Sequence, residues 1–291
     1  MNETFRILIP LDGSELGERV FPWARLLHSA LPEVNIELLR CFEPPSTVYL
    51  IPELAVGATS LYSEGDLHTA MEEYLSSRAE SLGLRGTTSR VAMADPASEI
   101  LAHSEEFNLI LMASHGRGGL GRWLLGSVAT KVTRGTTVPT LVVSGKCIAV
   151  DAEHPPKIAK VMVAYDGSPA SERAVFRAAS LARGFGASVH LYQGLTHVAM
   201  AHPAVAEANK TDMVRTLSAL QELSKTLEGV TATAEVRPVS VSSGIVEYAD
   251  EIGADLLVIG SHGKSGLTRW MIGSETEHVL QEAHCPVLVI H

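Results

Sequence analysis

A stretch of this chain is written twice. Residues 255–274 read D-L-L-V-I-G-S-H-G-K-S-G-L-T-R-W-M-I-G-S, and residues 108–127 read N-L-I-L-M-A-S-H-G-R-G-G-L-G-R-W-L-L-G-S. The copies align position for position at an offset of 147 (263 minus 116). A second motif, Asp-Gly-Ser, recurs at Asp12 and Asp166, an offset of 154 (166 minus 12). A chain of 291 residues suits one large domain or two ordinary ones. The repeat decides for two, residues 1–145 and 158–291, joined by a linker at 145–157 that contains D-A-E-H-P-P.

Each copy opens on an apolar run, such as Leu256 to Ile259, long enough for a buried strand and too short for a helix. A glycine turn follows, then Gly-Ser and a helical pattern, with Ser274 expected at its cap and Glu277 three residues on. Strand, glycine turn and helix start place free backbone N–H groups and the positive end of a helix dipole against a phosphate. Glycine is expected to serve twice there, by permitting positive φ and by letting an anion touch the backbone. The candidate phosphate residues are Gly260, Gly263, Gly273 and Ser274, and in the first copy Gly116, Gly126 and Ser127.

The rest of each half alternates strand and helix. Strands are expected at 5–11, 34–41, 87–93 and 139–144, and at 159–165, 187–193, 231–238 and 286–290, besides the strand that opens each repeated stretch. Helices are expected at 15–30, 66–84 and 97–106, and at 169–185, 205–227 and 243–252. Regular alternation means a parallel sheet covered on both faces, with right-handed crossovers. Ligands of such sheets lie beyond the C-terminal strand ends, where the strand order reverses. If strands one and four are central neighbours, the aspartate and the phosphate turn face one crevice. The halves diverge at 43–65, a proline-bearing loop that is expected to pack over the helices.

Together these motifs resemble the universal stress protein family, twice in one chain. The family signature G-x2-G-x9-G-(S/T) is met in full by Gly260, Gly263, Gly273 and Ser274, and the strand-one Asp-Gly-Ser is similar too. The resemblance implies an α/β chain of two tandem open five-stranded parallel-sheet sandwiches. Each would be Rossmann-like (adenine nucleotide alpha hydrolase-like), with strand order 3-2-1-4-5. It implies that the last strands pair, here within one chain, and it leaves room for a further homodimer. It also implies ATP as ligand, with Mg2+ or Mn2+ carried in by the nucleotide. The first signature glycine would lie near the ribose and the second near the phosphates. Asp166 and Asp12 would lie by the adenosine or its metal, and the end of strand two, at Gln193 or Cys41, would meet the adenine edge. The first half departs at Ala113, which stands where the second has Gly260. Its methyl is expected to weaken or abolish binding there.

Simpler readings compete. An Asp-Gly-Ser after a strand can cap the next helix. His262, inside the turn with no carboxylate at a defined spacing, reads as a positioning hydrogen bond rather than a catalyst. No Walker G-K-[ST] motif and no evident general base are present, so turnover beyond slow hydrolysis is not expected. A formal charge of −10 argues against a general nucleic-acid surface. No apolar run reaches a membrane span. Three cysteines without metal-ligand spacing, and a start lacking a signal peptide's basic and apolar regions, give a cytoplasmic expectation. The functional expectation is an ATP-binding stress-response regulator. The alternatives are a nucleotide-free protein-interaction module and a slow ATPase or adenylate-handling enzyme.

Overall fold

The computed structural model describes residues 4–31, 33–42, 64–114, 125–147, 150, 155–196, 203–238, 241–262 and 273–291. The first half contains β1 (Phe5–Pro10), α1 (Glu15–Glu18), α2 (Phe21–Ala30), β2 (Val34–Phe42), α3 (Glu64–Leu82) and β3 (Thr87–Met93). It continues through α4 (Pro96–His103), a 3-10 turn (Ser104–Glu106), β4 (Leu109–Ala113), α5 (Ser127–Gly135) and β5 (Thr140–Val143). The second half repeats the plan as β6 (Lys160–Ala164), α6 (Pro169–Phe185), β7 (Ser188–Gly194), α7 (Pro203–Lys225) and β8 (Ala232–Arg237). It closes with α8 (Val241–Ile252), β9 (Leu256–Gly260), α9 (Ser274–Glu282) and β10 (Val287–Ile290).

The strands form one ten-stranded sheet in the order β3-β2-β1-β4-β5-β10-β9-β6-β7-β8. Within each half this is order 3-2-1-4-5 with all pairs parallel. The halves join where β10 runs antiparallel to β5, with Val287 opposite Val142 and Val289 opposite Thr140. Parallel strands covered on both faces are apolar throughout, and β4, β5, β9 and β10 are buried along nearly their whole length.

Side-chain alternation sorts the core into two layers. One holds Ile7, Ile9, Leu256, Val258 and Leu288 against α2, α3, α6 and α7. The other holds Leu8, Leu257, Val287 and Val289 against α4, α5, α8 and α9. Both layers run through both halves.

The helix expected at 15–30 is broken. It divides into α1 and α2, and Pro22 sits in the first turn of α2, where its missing N–H costs nothing. The loop expected to pack over the helices at 43–65 lies, for residues 43–63, outside the described residues.

Candidate functional site

The strand order makes β1 and β4 neighbours, and likewise β6 and β9. Each Asp-Gly-Ser turn therefore stands beside the C-terminal end of the strand that leads into the repeated stretch. In the second half a hydrogen bond joins them, from Ser168 Oγ to the His262 carbonyl at 3.3 Å. The turns need glycine for its conformation, since Gly13 and Gly167 take φ of 79° and 78°. Asp166 Oδ1 accepts from the Ser168 N–H at 2.9 Å, and Asp12 Oδ1 from that of Ser14 at 3.0 Å. Serine does the capping: Ser168 Oγ accepts from Ser171 N–H and Ser14 Oγ from Gly17 N–H. Each half-buried aspartate thus shapes its turn with one oxygen while standing at the crevice.

Gly260 corrects the sequence reading. It is absent from the left-handed glycines, so positive φ does not explain it. A Cβ there would lie 2.9 Å from Ala170 Cβ and 3.0 Å from Ser171 N, inside the start of α6. The glycine lets the helix sit against β9. At the corresponding positions the first half has Ala113 on β4 and Gly17 on α1 (171 minus 154), and a Cβ on Gly17 would meet Asp12 Oδ1 and Ser14 Oγ. The Ala113 methyl packs against the core. Gly260→Ala is expected to cost about 1–3 kcal/mol of stability through overpacking. Urea unfolding of the variant measures this, and an unchanged midpoint would refute it.

Gly273 behaves in the opposite way. Its φ of −63° and ψ of 145° suit any residue. Among the described residues a Cβ there would meet only ordinary contacts, Ser261 O at 3.7 Å and Thr276 Oγ1 at 3.9 Å. Nothing among them requires the side chain to be missing.

Capping also departs from expectation. The cap positions of α5 and α9 are Gly126 and Gly273, without a side-chain cap bond, while Ser127 and Ser274 are the first helical residues and exposed. Glycine is an acceptable cap, and it leaves the first N–H groups of each helix without a side-chain acceptor. The strand-end carbonyls hold the glycines, with Gly126 N–H donating to Ser114 O at 2.7 Å and Gly273 N–H to Ser261 O at 2.9 Å. Thr276 Oγ1 donates to Gly260 O at 2.9 Å and fixes α9 to the end of β9. The first turn of α9 carries Glu275 and Glu277, which oppose an anion, whereas that of α5 carries no acid. Glu277 is neutralised from the other half by Arg134, in the last turn of α5, at 2.6 Å.

At the ends of the second strands the register revises one assignment. Pro10 pairs with Leu39 and Ala164 with Tyr192, and each first-strand residue lies two before its aspartate. The counterpart of Gln193 is therefore Arg40, and Cys41 corresponds to Gly194. Cys41 faces the α4 layer, and burial pushes its thiol up to about 12. His262 has Nδ1 against Ser261 Oγ at 2.9 Å, while its Nε2 is enclosed without a partner. His291, just past β10, also has an enclosed Nε2 without a partner. Gly116 and Gly263 lie outside the described residues. Sequence reasoning missed Arg40, Arg134 and His291. The offset between halves slips from 154 at the aspartates to 153 at Arg40 (193 minus 40), which hid the first of these.

Residues 3–144 and 157–291 each match the family model described as the universal stress protein family. A universal stress protein of Mycolicibacterium smegmatis is 27% identical over 293 residues, covering 98% of this chain and 97% of that one. One from Mycobacterium tuberculosis H37Rv is 30% identical over 208 residues, covering 69% of this chain and 68% of its own. Among solved structures, a universal stress protein from Archaeoglobus fulgidus superposes with a TM-score of 0.67 at 23% identity. That match covers 99% of this chain and 98% of the other.

Proposed function

The chain belongs to the universal stress protein family, and from that premise we propose that its second half binds ATP between the ends of β6 and β9. The protein then serves as a nucleotide-dependent regulatory module of the stress response. The observation that carries this reading is Gly273. A glycine required neither by its dihedral angles nor by its neighbours among the described residues, at a helix start without a side-chain cap bond, fits an anion that must approach the backbone closely.

The residues present suit that ligand. Phosphate oxygens have the N–H groups at the start of α9 and the exposed Ser274 hydroxyl to meet. Arg134 removes part of the acidic opposition by pairing with Glu277, and Glu275 remains. Asp166 stands at the sugar end of the crevice, and Gln193 at the end of β7 is available to the base edge. Among the described residues no three His, Cys, Asp or Glu side chains gather to hold a metal. Mg2+ or Mn2+ accompanying the nucleotide supplies charge neutralisation of the phosphates. His262, its Nδ1 engaged by Ser261 and its Nε2 enclosed, is poorly placed to activate water, which supports binding over turnover. All three cysteines are free thiols, in keeping with a reducing cytosol, and no helix among the described residues is long and apolar enough to cross a membrane.

The test is the nucleotide content of freshly purified protein, followed by titration with ATP and Mg2+. Retained or rebound ATP near one per chain is expected. Protein that arrives empty and takes up no ATP at about 1 mM would overturn the reading.

A further inference from the structure

The two halves share their phosphate-side features, so a difference between them in ligand binding must arise elsewhere. Gly126 and Gly273 cap alike, and the first turn of α5 is the less acidic of the two. Ala113 is half-buried and packs against the core. Among the described residues a contrast lies at the end of the second strand, where Arg40 stands at the position of Gln193.

Arg40 leans across the end of β1 onto the Asp-Gly-Ser turn. Its Nη1 takes the space that a Cβ on Gly13 would fill, and its Nη2 lies 2.9 Å from that point. On the other side its guanidinium carbon is 4.7 Å from the ring centroid of Tyr74 on α3. That ring is itself anchored, since the Tyr74 hydroxyl donates to Glu18 Oε1 at 2.9 Å and Arg78 donates to Glu18 Oε2 at 2.9 Å. Arg40 Nε and Nη1 are enclosed and make no hydrogen bond. A guanidinium placed to hold a ligand's phosphate would present those N–H groups outward in a fork. This one turns them against protein and rests on an aromatic face, as a packed cation does.

We propose that Arg40 is a specificity-determining plug that closes the first crevice to a nucleoside and leaves the chain with one nucleotide site. The inference rests on reading the second half as an ATP site. A nucleotide with its phosphates at the start of α5 must extend its sugar and base across the end of β1, over the Gly13 turn. The stacked guanidinium occupies that path. Glutamine, shorter and uncharged, stands at the same position in the second half.

Calorimetric titration of wild type, Arg40→Gln and Arg40→Ala with ATP and Mg2+ tests this, with thermal unfolding run alongside to show that each variant folds. The expected result is one ATP per wild-type chain and two per chain in a folded Arg40 variant. The first-half site should gain at least about tenfold in affinity. Two sites in the wild type, or one site in wild type and both variants, would overturn the plug and leave the second-half site standing. No site in the wild type but one in Arg40→Gln would keep the plug and overturn the second-half reading. No binding by any chain would overturn both.

Discussion

In Gly273→Val, ATP affinity is expected to fall by at least about a hundredfold, or ~2.7 kcal/mol, while the fold survives. Both parts follow from one geometry. The backbone at residue 273 is extended, and among the described residues the nearest atoms to a new Cβ are 3.7 Å and 3.9 Å away, so a branched side chain meets none of them closely. It projects instead where a phosphate must reach the first N–H groups of α9. The stability cost is that of exchanging glycine for a poor helix cap, about 1 kcal/mol. Calorimetric titration and urea unfolding of the same preparation separate the two effects. Wild-type affinity in a folded variant would show that nothing approaches this backbone.

Lowering the pH from about 6.5 to about 4 is expected to remove roughly 3 kcal/mol of stability through His291 alone. Burial is the main cause of its depressed value, from 6.5 to about 4, and the nearby His262 and Arg173 add to it. Arg173 also fixes the residue by donating from Nε to its carbonyl at 2.9 Å. The sign follows from which state takes the proton first. As pH falls through 6.5 the unfolded chain protonates this ring while the folded chain does not, so the contribution is complete above that value and drains away toward 4. Below 4 both states are protonated and no further loss comes from this group. Unfolding free energies of wild type and His291→Phe across that interval give the contribution by difference. Parallel curves would show that this imidazole does not titrate between the two values.

Much of the fold was legible because it depends on periodic burial. Apolar runs such as Leu256 to Ile259 are buried on both faces, and alternation of strand with helix leaves few topologies. Pro22 was a local signal read too weakly, since a proline within an apparently helical run starts a new helix as readily as it continues one. The site was legible in its motifs and not in its physics. Sequence shows that a position is glycine but not which atom would meet its side chain. Gly260 and Gly273 therefore read alike, although one serves helix packing and the other makes no close contact with any described residue. Arg40 and Arg134 were invisible for a related reason. Each acts across strands or across halves, on Tyr74 and on Glu277, and no local spacing encodes such a contact.

The antiparallel junction of β5 with β10 carries a directional consequence. Strands of one half point against those of the other, so their crevices open on opposite rims of the shared sheet. Occupants of the two rims cannot touch. Helix α5 starts at one rim and finishes near the other, where its Arg134 meets the start of α9. That rod and the seam beneath it therefore connect one rim physically to its opposite.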